Sequence, residues 1–287
     1  MPFFGPKRIG LALGSGAARG IAHIGVLKAL EAEGLLPHAV AGTSMGAMVG
    51  AFYAAGIPVA EIEQIALTFD VKSVTGVGEM ALTKGAVFSG EKVQAFLRQH
   101  LPATFEELLL PFGCVATDLT RNRPVRFTSG DLIAAVRASV SVPLAFLPVV
   151  MEDTVLVDGY VCEPVPVSLA RHLGGETIVA VDVSGDGTVS LPEGVLPKPG
   201  VRVRELRDTL RTGTAQRGSS AFDVLSAVSE ALEGRLAQEA LKTADVVISP
   251  AVHHLTGMDY GQAAVAVEAG ESAAFASIEE IRRKARR

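Results

Sequence analysis

An α/β fold with a mostly parallel central sheet and helices on both faces is what this 287-residue chain predicts, from three observations. Short apolar runs alternate with amphipathic helical patterns along most of the chain, the arrangement that builds helices onto a parallel sheet. The runs are continuous in apolar character, as strands covered on both faces are. Two glycine-punctuated turns, Gly14-Ser-Gly-Ala-Ala-Arg-Gly20 and Gly42-Thr-Ser-Met-Gly46, each follow an apolar run and open onto an apolar helical pattern. Each therefore reads as a strand–turn–helix junction.

The elements follow in order. Residues 8–13 form a first strand. From Gly20 to Glu33, apolar residues at Ile21, Ile24, Val26, Leu27 and Leu30 mark a helical face that Gly34 ends. Ala39–Ala41 is a second brief strand, and Ala47–Ala55 a helix closed by Gly56 and Pro58. That spacing predicts a βαβ unit with a right-handed crossover. Residues 58–110 are mainly helical, with one stripe at Ile62, Ile65, Ala66 and Phe69 and another at Val93, Phe96, Leu97 and Leu101. The Gly-rich piece between them, Thr75–Gly90, is either a lid or substrate wall or a plain surface loop.

Phe112–Thr117 is a buried strand, and Val125–Phe127 pairs with a neighbour. Asp131–Ser139 is a helix with Asp131 at its start, stopped by Ser141-Val-Pro143. Thr154–Val157 is a strand of parallel type leading into Asp158-Gly159, and Thr177–Val183 is the next strand. Ser184–Ser220 turns to Gly, Pro, Ser, Thr and alternating charge, the composition of an excursion. Ala221–Leu241 resumes a helix, Asp245–Ile248 is a late strand and Ala263–Arg286 a closing helix. The expected organisation is a core over 8–183, a flexible insertion or lid over 184–220, and residues 221–287 completing the same domain.

Composition narrows the function. A net charge of −5 lacks the basic footprint of a nucleic-acid binder. The run Arg282-Arg-Lys-Ala-Arg-Arg287 is expected to be a solvated helix end complementing the helix dipole. Cys114 and Cys162 lie in apolar, strand-like runs and are expected as free thiols in a reducing cytoplasm. Met1 to Arg8 lacks the order of a signal peptide. Residues 39–60 carry no charge, yet Gly42, Gly46, Gly50, Gly56 and Pro58 favour a buried strand and helix over a membrane span. No His/Cys/Asp cluster has ligand spacing, so neither metal nor cofactor is expected.

The chemistry centres on Ser44. Gly-x-Ser-x-Gly at a strand–helix junction holds a serine on a strained, exposed turn. Gly42 and Gly46 remove side chains where that turn packs closely, and the Met45 amide at the helix start points where an oxyanion forms. The Gly14, Gly16 and Gly20 turn has a rival reading as a dinucleotide fingerprint, with Arg19 beside a pyrophosphate. That reading requires a carboxylate after the second strand, and no Asp or Glu occurs between Glu33 and Glu61. For the base, an order of Ser44, Asp158 and His253 or His254 is open. So is direct pairing of Ser44 with Asp158, which ends an apolar strand ahead of Gly159. His23 is expected to pack or cap rather than act as a base.

Taken together, Gly10 to Leu30, Gly42-Thr-Ser-Met-Gly46, Arg137-Ala-Ser-Val-Ser-Val-Pro143 and Asp158-Gly159 resemble the patatin-like phospholipase family, with its four motifs in order over roughly residues 8–183. The resemblance implies a three-layer α/β/α sandwich and a Ser–Asp dyad hydrolysing acyl esters of lipids, phospholipid or lysophospholipid. It implies Ser44 as nucleophile and Asp158 as base. It also implies an oxyanion hole from the turn at Ser15, Gly16 and Ala17, with Arg19 fixing that loop or contacting an anionic group. Ser15 and Ala17 replace two of the family's usual glycines, and Glu163 stands where asparagine is common. The expected partner is a lipid or acyl-ester substrate, met through transient contact with a membrane surface or micelle. A regulatory protein that keeps the fold to sense lipid is a further reading.

Overall fold

Three consecutive residues of the first strand already separate the layers. In β1 (Ile9–Leu13), Leu11 and Leu13 point into one apolar cluster and Ala12 into another on the opposite face, as the alternation of side chains along a strand requires. The structure, a computed structural model, describes residues 7–69, 88–151, 153–184 and 221–286. Residues 75–87 of the expected 75–90 loop and nearly all of the 184–220 excursion lie outside them.

Strand β1 is followed by a short 3₁₀ turn (Ala17–Ile21) and α1 (Ala22–Ala32), then β2 (Ala39–Thr43) and α2 (Met45–Ala54). Gly34 ends α1 in the left-handed region at φ 67°, where glycine carries no Cβ penalty. Next come α3 (Val59–Thr68), α4 (Glu91–His100), β3 (Phe112–Asp118), β4 (Arg123–Phe127) and α5 (Leu132–Ser139). The Asp131 carboxylate caps α5 by accepting from the Ala134 amide at 2.8 Å. Then follow β5 (Val149–Met151), β6 (Thr154–Asp158), α6 (Val167–His172), β7 (Thr177–Val181), α7 (Ala221–Leu241), β8 (Val246–Ile248) and α8 (Ala263–Ala285).

The strands join one eight-stranded sheet through neighbours β5-β6-β3-β2-β1-β7-β8, with β4 also on β3. Strands β3, β2, β1, β7 and β8 are parallel to one another. One face carries α1–α5 and α8 over Leu11, Leu13, Val40, Val179 and Val181; the other carries α6 and α7 over Ala12, Ala41, Val115 and Ala180. The result is the three-layer α/β/α sandwich. Each large aliphatic side chain fully buried there, such as Leu11, Leu27 or Ile178, contributes roughly 1.5–3 kcal/mol. Helices α1 and α8 cross with almost no side chain between them: a Cβ on Gly25 would overlap the Val267 carbonyl, and one on Gly270 the Ala22 carbonyl.

Three expectations need correction. Strand β6 is not of parallel type: it runs antiparallel to β3, and β5, which no sequence signal marked, pairs antiparallel with it. Helix α6 was also unmarked; at six residues it is too short for a periodic pattern to register. Cys114 is buried in β3, but Cys162 is only half-buried and follows a 3₁₀ turn rather than lying in a strand. In the basic run Arg283 is exposed and pairs with Glu280, whereas Arg282 is half-buried and ties α8 to Glu33 at the end of α1 as well as to Glu279.

The register around β3 sets up everything that follows. On β3, Val115 pairs with Thr43 of β2 and Ala116 with Asp158 of β6. Strand β4 pairs with Cys114 through Asp118 and so overlaps both partners. It must occupy the opposite edge of β3, which leaves β2 and β6 meeting end to end along one edge. The residue after Thr43 and the last residue of β6 therefore face each other across a seam.

Candidate active site

Ser44 is the residue after Thr43, and its hydroxyl donates to Asp158 Oδ2 at 2.6 Å across 114 positions of chain. Ser44 sits at φ 55°, ψ −120°, a sparsely populated conformation for a residue with a side chain, of order 1–3 kcal/mol above relaxed backbone. The strain is held by packing. A Cβ on Gly42 would overlap the Gly46 carbonyl, and one on Gly46 the Leu13 carbonyl, so no larger residue fits either position. The Ser44 carbonyl starts α2 by accepting from the Ala47 and Met48 amides at 2.9 and 3.1 Å.

Asp158 is fully buried. Its Oδ1 accepts from the Tyr160 amide at 3.0 Å, and its Oδ2 takes the serine. Burial pushes its carboxyl up to about 8, against the opposing pull of the Ser44 and Tyr160 hydrogen bonds; nearby Glu233 adds to the rise. A Cβ on Gly159 would overlap the Val115 carbonyl, which explains glycine directly after the aspartate.

No imidazole stands between serine and carboxylate. His253 and His254 lie exposed on the loop after β8. His23 is buried in α1 with Nε2 on the Gly14 carbonyl at 2.7 Å, and burial holds it down at about 4. At neutral pH it is therefore uncharged and donates from Nε2. Its role is to support the glycine turn.

That turn abuts the elbow: a Cβ on Gly20 would lie 2.7 Å from the Met45 Cβ. Within it the Ser15 amide is occupied, donating to the Pro164 carbonyl at 2.8 Å, so the expectation that it serves an oxyanion is corrected. Ala17 is held at φ 49°, and the Ala18 amide donates to the Gly257 carbonyl at 3.1 Å. The amides of Gly16, Ala17 and Met45 have no acceptor among the described residues. The Ser15 hydroxyl donates to Glu233 of α7, a partner no local sequence signal marked. Arg19 is buried with its guanidinium 3.8 Å from Glu230. The Glu163 carboxylate faces Arg126 and Ser168, while its carbonyl accepts from the Thr43 hydroxyl, so this departure points away from the dyad.

The segment 137–143 carries contacts that sequence reasoning left unassigned. Ser139 Oγ accepts from the Ser44 amide at 3.0 Å, and the Ser141 carbonyl from the Asp158 amide at 3.0 Å. Buried Arg137 donates to the Ser141 hydroxyl and the carbonyls of Ser89, Gly90 and Leu147.

Next to Ser44, at Met45, an apolar crevice of about 40 Å³ is lined by Met45, Met48, Phe52, Ile65, Phe96 and Tyr260, among others. Its walls come from α2 (Met45, Met48, Val49 and Phe52), from the α3 stripe and from Phe96 of α4. Tyr53 belongs to the core, and Phe52 both packs in the core and lines this crevice. Among the described residues no group of acidic, histidine or cysteine side chains could hold a metal, and no helix is long and apolar enough to cross a membrane.

Comparison with known proteins shows the family and the fold. An uncharacterized NTE family protein of Mycobacterium tuberculosis is 35% identical over 179 residues, 62% of this chain and 49% of its own length. Patatin-like phospholipase domain-containing protein 6 of Mus musculus is 35% identical over 191 residues, 64% of this chain but 14% of that protein. This chain thus spans about half or less of the relatives it matches. The crystal structure of VipD from Legionella pneumophila superposes with a TM-score of 0.55 at 13% identity, over 97% of this chain and 67% of that one, and shows a shared fold. The patatin-like phospholipase profile matches residues 11–171, a stretch that contains the glycine turn, the Ser44 elbow and Asp158-Gly159: the chain belongs to the patatin-like phospholipase family.

Proposed function

We propose that this protein hydrolyses acyl esters of lipids, phospholipid or lysophospholipid, through a Ser44–Asp158 dyad and an acyl-enzyme. The observation that carries the reading is the 2.6 Å hydrogen bond from Ser44 Oγ to a fully buried carboxylate. A carboxylate of ordinary basicity is a poor base toward a hydroxyl, and one raised to about 8 is matched to proton transfer near neutral pH. Ser44 Oγ passes its proton to Asp158 as it attacks the ester carbonyl carbon. The developing oxyanion is met by the amides of Gly16, Ala17 and Met45, at the positive end of α2. Collapse breaks the ester bond, and the leaving alcohol takes the proton from Asp158. A water then gives its proton to Asp158, attacks the acyl-enzyme and frees the fatty acid, returning the proton to Ser44.

In this reading the apolar crevice beside Met45 receives the part of the acyl chain nearest the ester. The substrate is met at a bilayer or micelle surface. Residues 221–286 complete the catalytic unit of 8–183, since β8 pairs with β7 in the same sheet and α8 packs on α1.

Covalent labelling with a fluorophosphonate tests the reading. Wild type and Asp158→Asn should differ in rate, and Ser44→Ala should not label. Labelling of Ser44→Ala equal to that of wild type, or esterase activity undiminished in it, would sink the proposal.

A further inference from the structure

Glu233 lies on α7, beyond the stretch that the family profile matches. It is nevertheless a carboxylic acid with only 7% of its surface exposed, an uncommon burial for glutamate. Such burial is costly unless the group is paired, and its partner is the Ser15 hydroxyl in the middle of the glycine turn. Ser15 is itself 97% buried, at 3% exposure.

The turn has a reason to need this contact. Gly16 and Ala17, whose amides have no acceptor among the described residues, lie directly after Ser15, and Ala17 is strained at φ 49°. A strained backbone persists only where its surroundings over-determine it. Ser15 is gripped on both sides, by the Pro164 carbonyl at its amide and by Glu233 at its hydroxyl. His23 fixes the Gly14 carbonyl on one flank and Gly257 takes the Ala18 amide on the other. Glu233 reaches in from α7, which also sets Glu230 3.8 Å from the Arg19 guanidinium at the end of the turn.

Building on the acyl-hydrolase reading, we propose that Glu233 is a positioning residue: through Ser15 it pins the oxyanion turn so that the Gly16 and Ala17 amides are held in place for the reaction at Ser44. Burial raises the Glu233 carboxyl above the usual glutamate range, the Ser15 hydrogen bond and Arg19 pull it back, and Glu230 and Asp182 add to the rise. In its ionised form it in turn raises Asp158 and Tyr160. Glu233 thus has two separable effects. The hydrogen bond shapes the turn, and the charge strengthens the base.

The test uses the full chain, a soluble acyl p-nitrophenyl ester and four variants: Glu233→Ala, Glu233→Gln, Ser15→Ala and the double alanine variant. Misplacing a pre-organised group costs on the order of 10–100-fold in rate. Glu233→Ala and Ser15→Ala should each lower kcat by that factor with KM changed less than about twofold, and the double variant should lose no more than the worse single one. Glu233→Gln keeps an acceptor oxygen and should recover most of kcat, while its acidic limb moves to lower pH because Asp158 loses a repelling neighbour. Amide hydrogen exchange over Gly16–Arg19 should quicken in both alanine variants and return to the wild-type rate in Glu233→Gln.

Folded Glu233→Ala and Ser15→Ala proteins with wild-type kcat and exchange would overturn the proposal. So would a loss in Glu233→Ala that Ser15→Ala does not share, since the effect would then be helix packing rather than the hydrogen bond. If wild type neither labels nor turns over ester, the hydrolase reading falls, and exchange alone decides whether Glu233 pins the turn.

Discussion

The backbone amide of Ser44 donates to the side chain of Ser139 at 3.0 Å, and two residues further on the Ser141 carbonyl accepts the amide of Asp158 at 3.0 Å. One short stretch at the end of α5 therefore holds both members of the dyad by their backbones. Removing the Ser139 hydroxyl leaves a buried N–H without its acceptor, which costs about 1–3 kcal/mol. Ser139→Ala is expected to lower Tm by several degrees and acyl-ester turnover by roughly tenfold, as thermal melts and steady-state kinetics would report.

The pH profile separates a buried carboxylate from a histidine base. Asp158 must be ionised to accept the serine proton, and burial raises it to about 8. The acidic limb of kcat/KM should therefore have its midpoint near 8, above the ordinary histidine value of about 6.5. A limb near 6.5 that vanishes on replacing His253 or His254 would contradict the dyad.

Asp158→Asn should act in opposite directions on activity and stability. Turnover should drop by about 1000-fold or more through loss of the base. A carboxyl raised from 3.8 to about 8 on folding binds its proton more tightly in the folded state. Folding stability therefore declines as pH rises from about 4 to about 8 and is level above that. The neutral amide lacks this penalty, so the variant should melt several degrees above wild type at pH 9 and match it near pH 4. His23 has the reverse sign: depressed to about 4 in the folded protein, it costs stability as pH falls below about 6.5.

Chain-length preference should respond to the crevice. Ile65 lines it from α3 together with Met48 and Phe96. Ile65→Trp should raise KM for long-chain esters by about tenfold and leave acetyl esters within twofold, measured across a series of p-nitrophenyl esters.

The α1–α8 crossing predicts a stability effect with no catalytic cause. Alanine normally favours a helix over glycine by about 1 kcal/mol. At Gly25 and Gly270 the added Cβ would overlap the backbone of the facing helix, and moving two packed helices apart costs more than that gain. Gly25→Ala and Gly270→Ala are each expected to lower stability by about 2 kcal/mol or more, checked by urea unfolding.

Most elements were legible because their signals are local. Apolar runs marked β1, β2, β3 and β7, and glycine at 34 and 56 marked where α1 and α2 end. Ser44 and Asp158 stood out because a Gly-x-Ser-x-Gly junction and an Asp-Gly after an apolar strand are motifs of neighbouring residues. Strand β5 has three residues and α6 has six, too few for a period to show. The direction of β6 was misread because an apolar strand looks the same whichever way it runs. Ser139 and Glu233 carried no signal of their own, since serine ends many helices and glutamate on an amphipathic helix normally faces water.

By itself the chain's order of residues marked most of the strands and helices, the serine elbow and Asp158 as a candidate carboxylate, because each signal depends on side chains within a few positions of one another. The tertiary structure decided what those pieces do together. Strand β2 stops opposite Val115 and β6 arrives antiparallel opposite Ala116, so two residues far apart in the chain close a 2.6 Å hydrogen bond. That closure, the burial that strengthens the base and the grip of α7 on Ser15 arise from register and packing between distant segments, for which no local pattern of residues codes.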